Sequence, residues 1–189
     1  MERSVQLALF LLLSFPVLSF ARGGFGSSRR GSAAASYCAM TRDPRLCMAA
    51  TERVRNFPAG KNIEGVLRSN LVAISNRCMS AKKRALGLMR RSGPKIRASL
   101  KDCADLYANA VDLIGVSNRS LNQNDGQTGV MVKIMLQQIK QSAQQCNAQF
   151  DRPGSPNPLA HLNGSLIKMT DNADDLNNAM SRQNAARKA

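Results

Sequence analysis

The chain has 189 residues, of which 43% are hydrophobic, 27 are lysine or arginine against 12 acids, and one is histidine. That length holds one domain with a sizeable core and is short for two. Two tyrosines and no tryptophan leave few stacking platforms for nucleic-acid bases, so a net charge of +15 points instead to acidic polysaccharides and anionic protein surfaces.

Residues 1–21 have the anatomy of a secretory signal: Arg3, the apolar run Val5 to Phe20, then Ser19 and Ala21 as the small residues of a cleavage site. The run is interrupted by Pro16 and is shorter than the ~20 residues a membrane span needs. No later stretch is apolar enough to span, so the mature chain is expected outside the cell and free of the membrane. Removing the leader takes one acid, Glu2, and one base, Arg3, and leaves the net charge unchanged. Residues 22–36, rich in glycine, serine and alanine without apolar periodicity, read as a flexible arm.

The folded domain is expected over 37–182. Residues 37–58 carry Cys38, Cys47, Leu46, Met48, Val54 and Phe57, with Pro44 bending the chain between the thiols and Thr41 as an N-cap or turn residue. A helical hairpin follows, stopping at Pro58-Ala59-Gly60. Residues 62–182 show four apolar seams at alternating four- and three-residue steps. The first is Ile63, Leu67, Leu71, Ile74, Cys78, Ala81, Ala85 and Leu88, ended by Arg90-Arg91-Ser92-Gly93-Pro94. The second is Ile96, Leu100, Cys103, Tyr107, Ala110 and Ile114, broken by the polar stretch Ser117 to Gly129. The third is Val132, Leu136, Ile139, Ala143, Cys146 and Phe150, stopped by Pro153, Gly154, Pro156 and Pro158. The fourth runs from Leu159 through Leu162, Leu166, Met169, Ala173 and Leu176 to Met180. Helices of this length with one seam each and tight breaks specify an all-α, antiparallel up-down-up-down four-helix bundle, with 183–189 as a tail.

Five cysteines in an exported chain imply two bridges and one leftover thiol. Cys103 lies early in the second bundle helix and Cys146 late in the third, which antiparallel neighbours bring to one level. Cys103 therefore pairs with Cys146, Cys38 pairs with Cys47 as a local loop, and Cys78 stays as a buried free thiol. Asn118-Arg119-Ser120 and Asn163-Gly164-Ser165 are glycan acceptor sequences, the first placed in the loop after the second bundle helix.

Catalytic chemistry finds little support. His161, the single histidine, flanks a seam residue rather than lying among acids and hydroxyls, and the cysteines lack the spacing of a zinc site, so neither metal nor cofactor is expected. Asp171, Asp174 and Asp175 read as a solvated face near Lys168 and Arg182. Function is therefore expected to reside in a surface. The polar side of the third bundle helix, Lys133, Gln137, Lys140, Gln141 and Gln144, is one candidate, and the basic run Lys82-Lys83-Arg84 with Arg90 and Arg91 is another.

Three blocks resemble the plant invertase and pectin methylesterase inhibitor family. They are Cys38-x2-Thr41-x2-Pro44-x2-Cys47 just after a leader, Cys103-Ala-Asp105-Leu-Tyr107-Ala-Asn-Ala110-Val-Asp112-Leu113, and Cys146-Asn-Ala-Gln-Phe150. A weaker match spans Leu159 to Ile167, so the resemblance covers Tyr37 to about Met180. It implies a hairpin on a four-helix bundle with the first cysteine paired to the second and the third to the fourth, agreeing with the seams. Two departures stand out: the extra cysteine is Cys78 instead of one in the last helix, and Asp43 replaces the usual bulky residue before the hairpin proline. The resemblance implies a secreted apoplastic or cell-wall inhibitor that binds pectin methylesterase or, alternatively, acid invertase. Invertase-directed members carry a Pro-Lys-Phe segment between the second pair of cysteines, and none occurs between Cys103 and Cys146. Pectin methylesterase is therefore the favoured partner. The polar side of the third bundle helix is then the expected contact face, with electrostatic association with acidic pectin as a further expectation; a reading from a different class is a basic wall protein that binds acidic pectin and inhibits no enzyme.

Overall fold

Capping and seam residues set six helices along the chain, and among the described residues all regular structure is helical. The structure is a computed structural model describing residues 33–54, 62–123, 127–151 and 156–187. The expected signal segment and the Pro58-Ala59-Gly60 stop lie outside the described residues. Helix α1 is Ala33–Cys38, α2 Pro44–Arg53, α3 Ile63–Met89, α4 Pro94–Gln123, α5 Thr128–Ala148 and α6 Ala160–Ala186. Helices α3 to α6 form a ring in which each packs on the next and α6 closes on α3, while α1 and α2 pack on the α3 and α6 side.

The seams are the core. Leu67, Leu71, Ile74 and Cys78 of α3, Leu100, Tyr107 and Ile114 of α4, Leu136 and Ile139 of α5, and Leu166 and Leu176 of α6 are all fully buried. Each leucine or isoleucine so placed contributes about 1.5–3 kcal/mol relative to exposure. Ile96 departs from expectation, since this first residue of the second seam projects beyond the packed part of the bundle and is exposed.

Three boundaries differ from the sequence reading. Helix α1 begins at Ala33, inside the stretch expected to be an arm, because Ala34 and Cys38 lie one turn apart and are both buried. Helix α4 continues through Ser117 to Gln123 instead of breaking at Ser117. Its seam persists through a polar member: Ser117 is buried between Ile114 and Leu121, and its hydroxyl donates to the Leu113 carbonyl one turn back, with Met135 Sδ of α5 also 3.0 Å from the oxygen. Helix α6 runs on to Ala186, four residues into the expected tail, where no proline or glycine stops it.

Local signals fix the starts. Asn62 caps α3 by accepting from the Gly65 amide at 2.8 Å. Asp43, not Thr41, caps α2 by accepting from the Leu46 amide at 3.0 Å, with Pro44 in the first turn. Thr41 closes the preceding turn, its hydroxyl donating to the Cys38 carbonyl at 2.8 Å.

Candidate functional site

Of the five residues expected on the contact face, Lys133, Gln137, Gln141 and Gln144 are exposed along α5. Lys140 is not free. It is half-buried, and its Nζ lies 2.7 Å from Asp171 Oδ1 of α6, so its charge serves the α5–α6 contact. The face also carries apolar residues that lie outside the seam. Val130 is 61% exposed, Met131 44% and Ile134 45%, and Val116 of α4 is exposed as well. Their signal was available, because all three α5 residues fall off the Val132–Leu136–Ile139 stripe. The face therefore grades from apolar in the first turns of α5 to glutamine amides in the later ones, and α5 itself contains no acid. Such a surface offers apolar area and neutral donors and acceptors, which suit burial against another protein.

This face is held from both sides. Cys103–Cys146 ties α4 to α5, with its Cα atoms 4.9 Å apart. At the other end of α5, Asn177 Nδ2 of α6 donates to the Gly129 carbonyl at 2.8 Å. A Cβ on Gly129 would sit 2.5 Å from Ser181 Oγ, so any larger residue here requires the serine side chain to turn aside.

Beneath the disulfide lies a buried polar chain. The Tyr107 hydroxyl donates to Asn163 Oδ1, Asn163 Nδ2 donates to Asn147 Oδ1 at 2.6 Å, and Asn157 Nδ2 donates to the same oxygen at 2.8 Å. Asn163 is 0% exposed. This corrects one of the two expected glycan sites, because a carbohydrate on Asn163 is incompatible with the fold. Asn118 lies on α4 and not in a loop. It is partly exposed, and its carbonyl accepts from Arg68 Nη1 of α3 at 3.2 Å. The free thiol Cys78 is buried, and desolvation pushes its pKa up to about 12. Burial also raises the Tyr107 hydroxyl, with Cys78 adding in the same direction and the Asn163 hydrogen bond opposing.

The acids of α6 are not the solvated face they were expected to be. Asn172 of α6 accepts from the Asp43 amide at 3.0 Å and donates to the Asp43 carbonyl at 2.8 Å. Asp175 accepts from the Arg42 amide at 3.0 Å, and the Arg42 guanidinium lies 3.4 Å from Asp171 and 3.5 Å from Asp175. Asp174 accepts from Asn178 on its own helix. Asp171 and Asp175 thus dock the Cys38–Cys47 hairpin onto α6 and, through Lys140, onto α5. Among the described residues no group of histidine, cysteine and acids converges to hold a metal, and His161 is exposed.

A family model described as plant invertase/pectin methylesterase inhibitor matches residues 32–176. A pectinesterase inhibitor from Actinidia deliciosa is 25% identical over 138 residues, which is 72% of this chain and 71% of that one. Among solved structures, a mutant form A of a pectin methylesterase inhibitor from Arabidopsis superposes with a TM-score of 0.63 at 16% identity, covering 78% of this chain and 96% of that one. A pectin methylesterase inhibitor from Arabidopsis thaliana gives 0.57 at 16% identity, with 79% and 96% covered. At such identities the structural likeness concerns the fold alone.

Proposed function

The chain belongs to the plant invertase/pectin methylesterase inhibitor family, and we propose that it inhibits pectin methylesterase by laying the exposed side of α5 across the enzyme's cleft. The observation that carries this reading is the composition of that side: Val130, Met131 and Ile134 followed by Gln137, Gln141 and Gln144, on a helix pinned at both ends. A helix of 21 residues is about 32 Å long. That length, with flanking residues of its neighbours, suits the roughly 800 Å² per partner of a standard interface.

Pectin methylesterase is preferred to acid invertase as the target. The relatives this chain resembles are named as inhibitors of the former, and the stretch between Cys103 and Cys146 has no Pro-Lys-Phe segment. The same reading places the protein in the cell wall after cleavage following Ala21, with a glycan on Asn118. The net charge of +15 supports association with acidic pectin.

Mature protein from Arg22 onward, titrated in parallel against a plant pectin methylesterase and a plant acid invertase, tests the assignment. The esterase should lose activity stoichiometrically while the invertase keeps its own. Inhibition of the invertase alone would overturn the proposal.

A further inference from the structure

From Gly65 to Lys101 the sequence contains no aspartate or glutamate. The stretch runs the length of α3, and the fold gathers its later part, the end of α3, its turn and the start of α4, at one end of the bundle. Lys83, Arg84, Arg90, Arg91 and Lys95 are exposed there, and Lys82 is half-exposed. Among the described residues none of these six has an acid within ion-pair distance. The next acids along α4, Asp102 and Asp105, both follow Lys101, and Asp105 is paired with it at 2.7 Å.

The fold itself does not call for this charge. Bases stabilise the last turn of a helix, which accounts for Arg90 and Arg91, but the effect fades within that turn. Lys82, Lys83 and Arg84 lie roughly one and a half to two turns before the end of α3. Lys95 and Arg97 sit at the start of α4, where the helix dipole favours acids and none is present. Charge kept for solubility works as well with both signs interspersed, whereas here one sign is segregated against local helix electrostatics. Helices α3 and α5 are diagonal in the ring, so the bases of α3 lie on a helix that does not neighbour the one proposed to meet the enzyme.

We propose that the α3–α4 end of the bundle is a binding site for de-esterified pectin, a polymer of closely spaced carboxylates, separate from the enzyme-contact face on α5. Resting on the reading of this chain as an inhibitor of the enzyme that makes that polymer, the site would hold the inhibitor on its target's product. Several carboxylates on one polymer engage Lys82, Lys83, Arg84, Arg90, Arg91 and Lys95 together. Methyl-esterified pectin has no charge to offer them.

The test uses mature protein on polygalacturonate beads, on beads of fully methyl-esterified pectin, and on phosphatidylserine vesicles. Wild type should be retained on polygalacturonate, be released by about 0.5 M salt, and pass through the esterified beads. The variant Lys83→Ser/Arg84→Ser/Arg90→Ser/Arg91→Ser should bind polygalacturonate about tenfold more weakly or worse. The variant Arg45→Ser/Arg53→Ser/Lys168→Ser/Arg182→Ser loses the same charge elsewhere and should stay within about twofold of wild type. Equal weakening of both variants would overturn the site, as would equal retention of wild type on both bead types, which needs no variant. Vesicle binding as tight as binding to polygalacturonate would overturn its assignment to polysaccharide. Esterase inhibition on a soluble ester is read separately: a wild type that binds polygalacturonate by this end yet inhibits nothing overturns the proposed function and leaves the site standing.

Discussion

Asn163 stands where the disulfide end of the bundle closes, accepting from Tyr107 and donating to Asn147. Tyr107→Phe keeps the ring in the core but leaves Asn163 Oδ1 buried without its donor, which should cost about 1–3 kcal/mol in urea unfolding. A cost near zero would show that the chain of amides is not what fills this site. Cys78 gives a second expectation at this scale. Its thiol rises from 9.0 to about 12 in the fold, so above pH 9 the folded state holds a proton that the unfolded chain has lost. Stability from this source is full below pH 9 and falls as pH rises toward 12. Between pH 8 and pH 10 the fall should be on the order of 1 kcal/mol. Cys78→Ala should lack that fall, while costing about 1–2 kcal/mol at neutral pH for the small void it leaves. Unfolding of both proteins at pH 8 and pH 10 checks the difference. Cysteines at seam positions were legible because periodicity alone marks burial. Asn163 was not, because a glycan acceptor and a buried amide are written with the same letters, and only the approach of Tyr107 and Asn147 distinguishes them.

The hairpin of α1 and α2 is fastened to α6 through the backbone of Asp43 and the side chain of Asn172. Asn172→Ala leaves a partly buried amide and carbonyl unpaired and should cost about 2 kcal/mol. It should also speed hydrogen exchange in α2 ahead of the bundle helices. Arg42→Ala should cost under about 1 kcal/mol, since the Arg42 side chain is 61% exposed and water screens its pairs. Equal effects of the two substitutions would mean that the hairpin is held by charge and not by the amide. The elements themselves were readable from seam spacing and from the turn at Gly93-Pro94. The end of α4 was not, since Ser117 looks like a break until its hydroxyl is seen bonded within the helix and in contact with Met135. The acids of α6 looked solvated for a related reason: their partner Arg42 lies more than a hundred residues away in sequence.

At the scale of the molecule, Cys103–Cys146 closes a loop with a sequence separation of 43 and should contribute roughly 4 kcal/mol by restricting the unfolded chain. Replacing both cysteines by alanine should therefore abolish inhibition on heating at temperatures where Cys78→Ala remains active, as followed by residual activity of an added esterase. The bundle was legible as a whole because four periodic seams admit few other arrangements. The contact face was only half legible, since polarity marked its glutamines but said nothing of Val130, Met131 and Ile134, and Lys140 proved to be occupied by Asp171. Whether that face is the inhibitory one is decided by titrating a pectin methylesterase with wild type and with Ile134→Glu/Gln141→Glu, two exposed changes that leave the core and both disulfides untouched. The variant should keep its helical content and melting temperature and inhibit about a hundredfold more weakly, as expected when the centre of an interface is charged. A variant that inhibits as tightly as wild type would contradict the placement of the enzyme on α5.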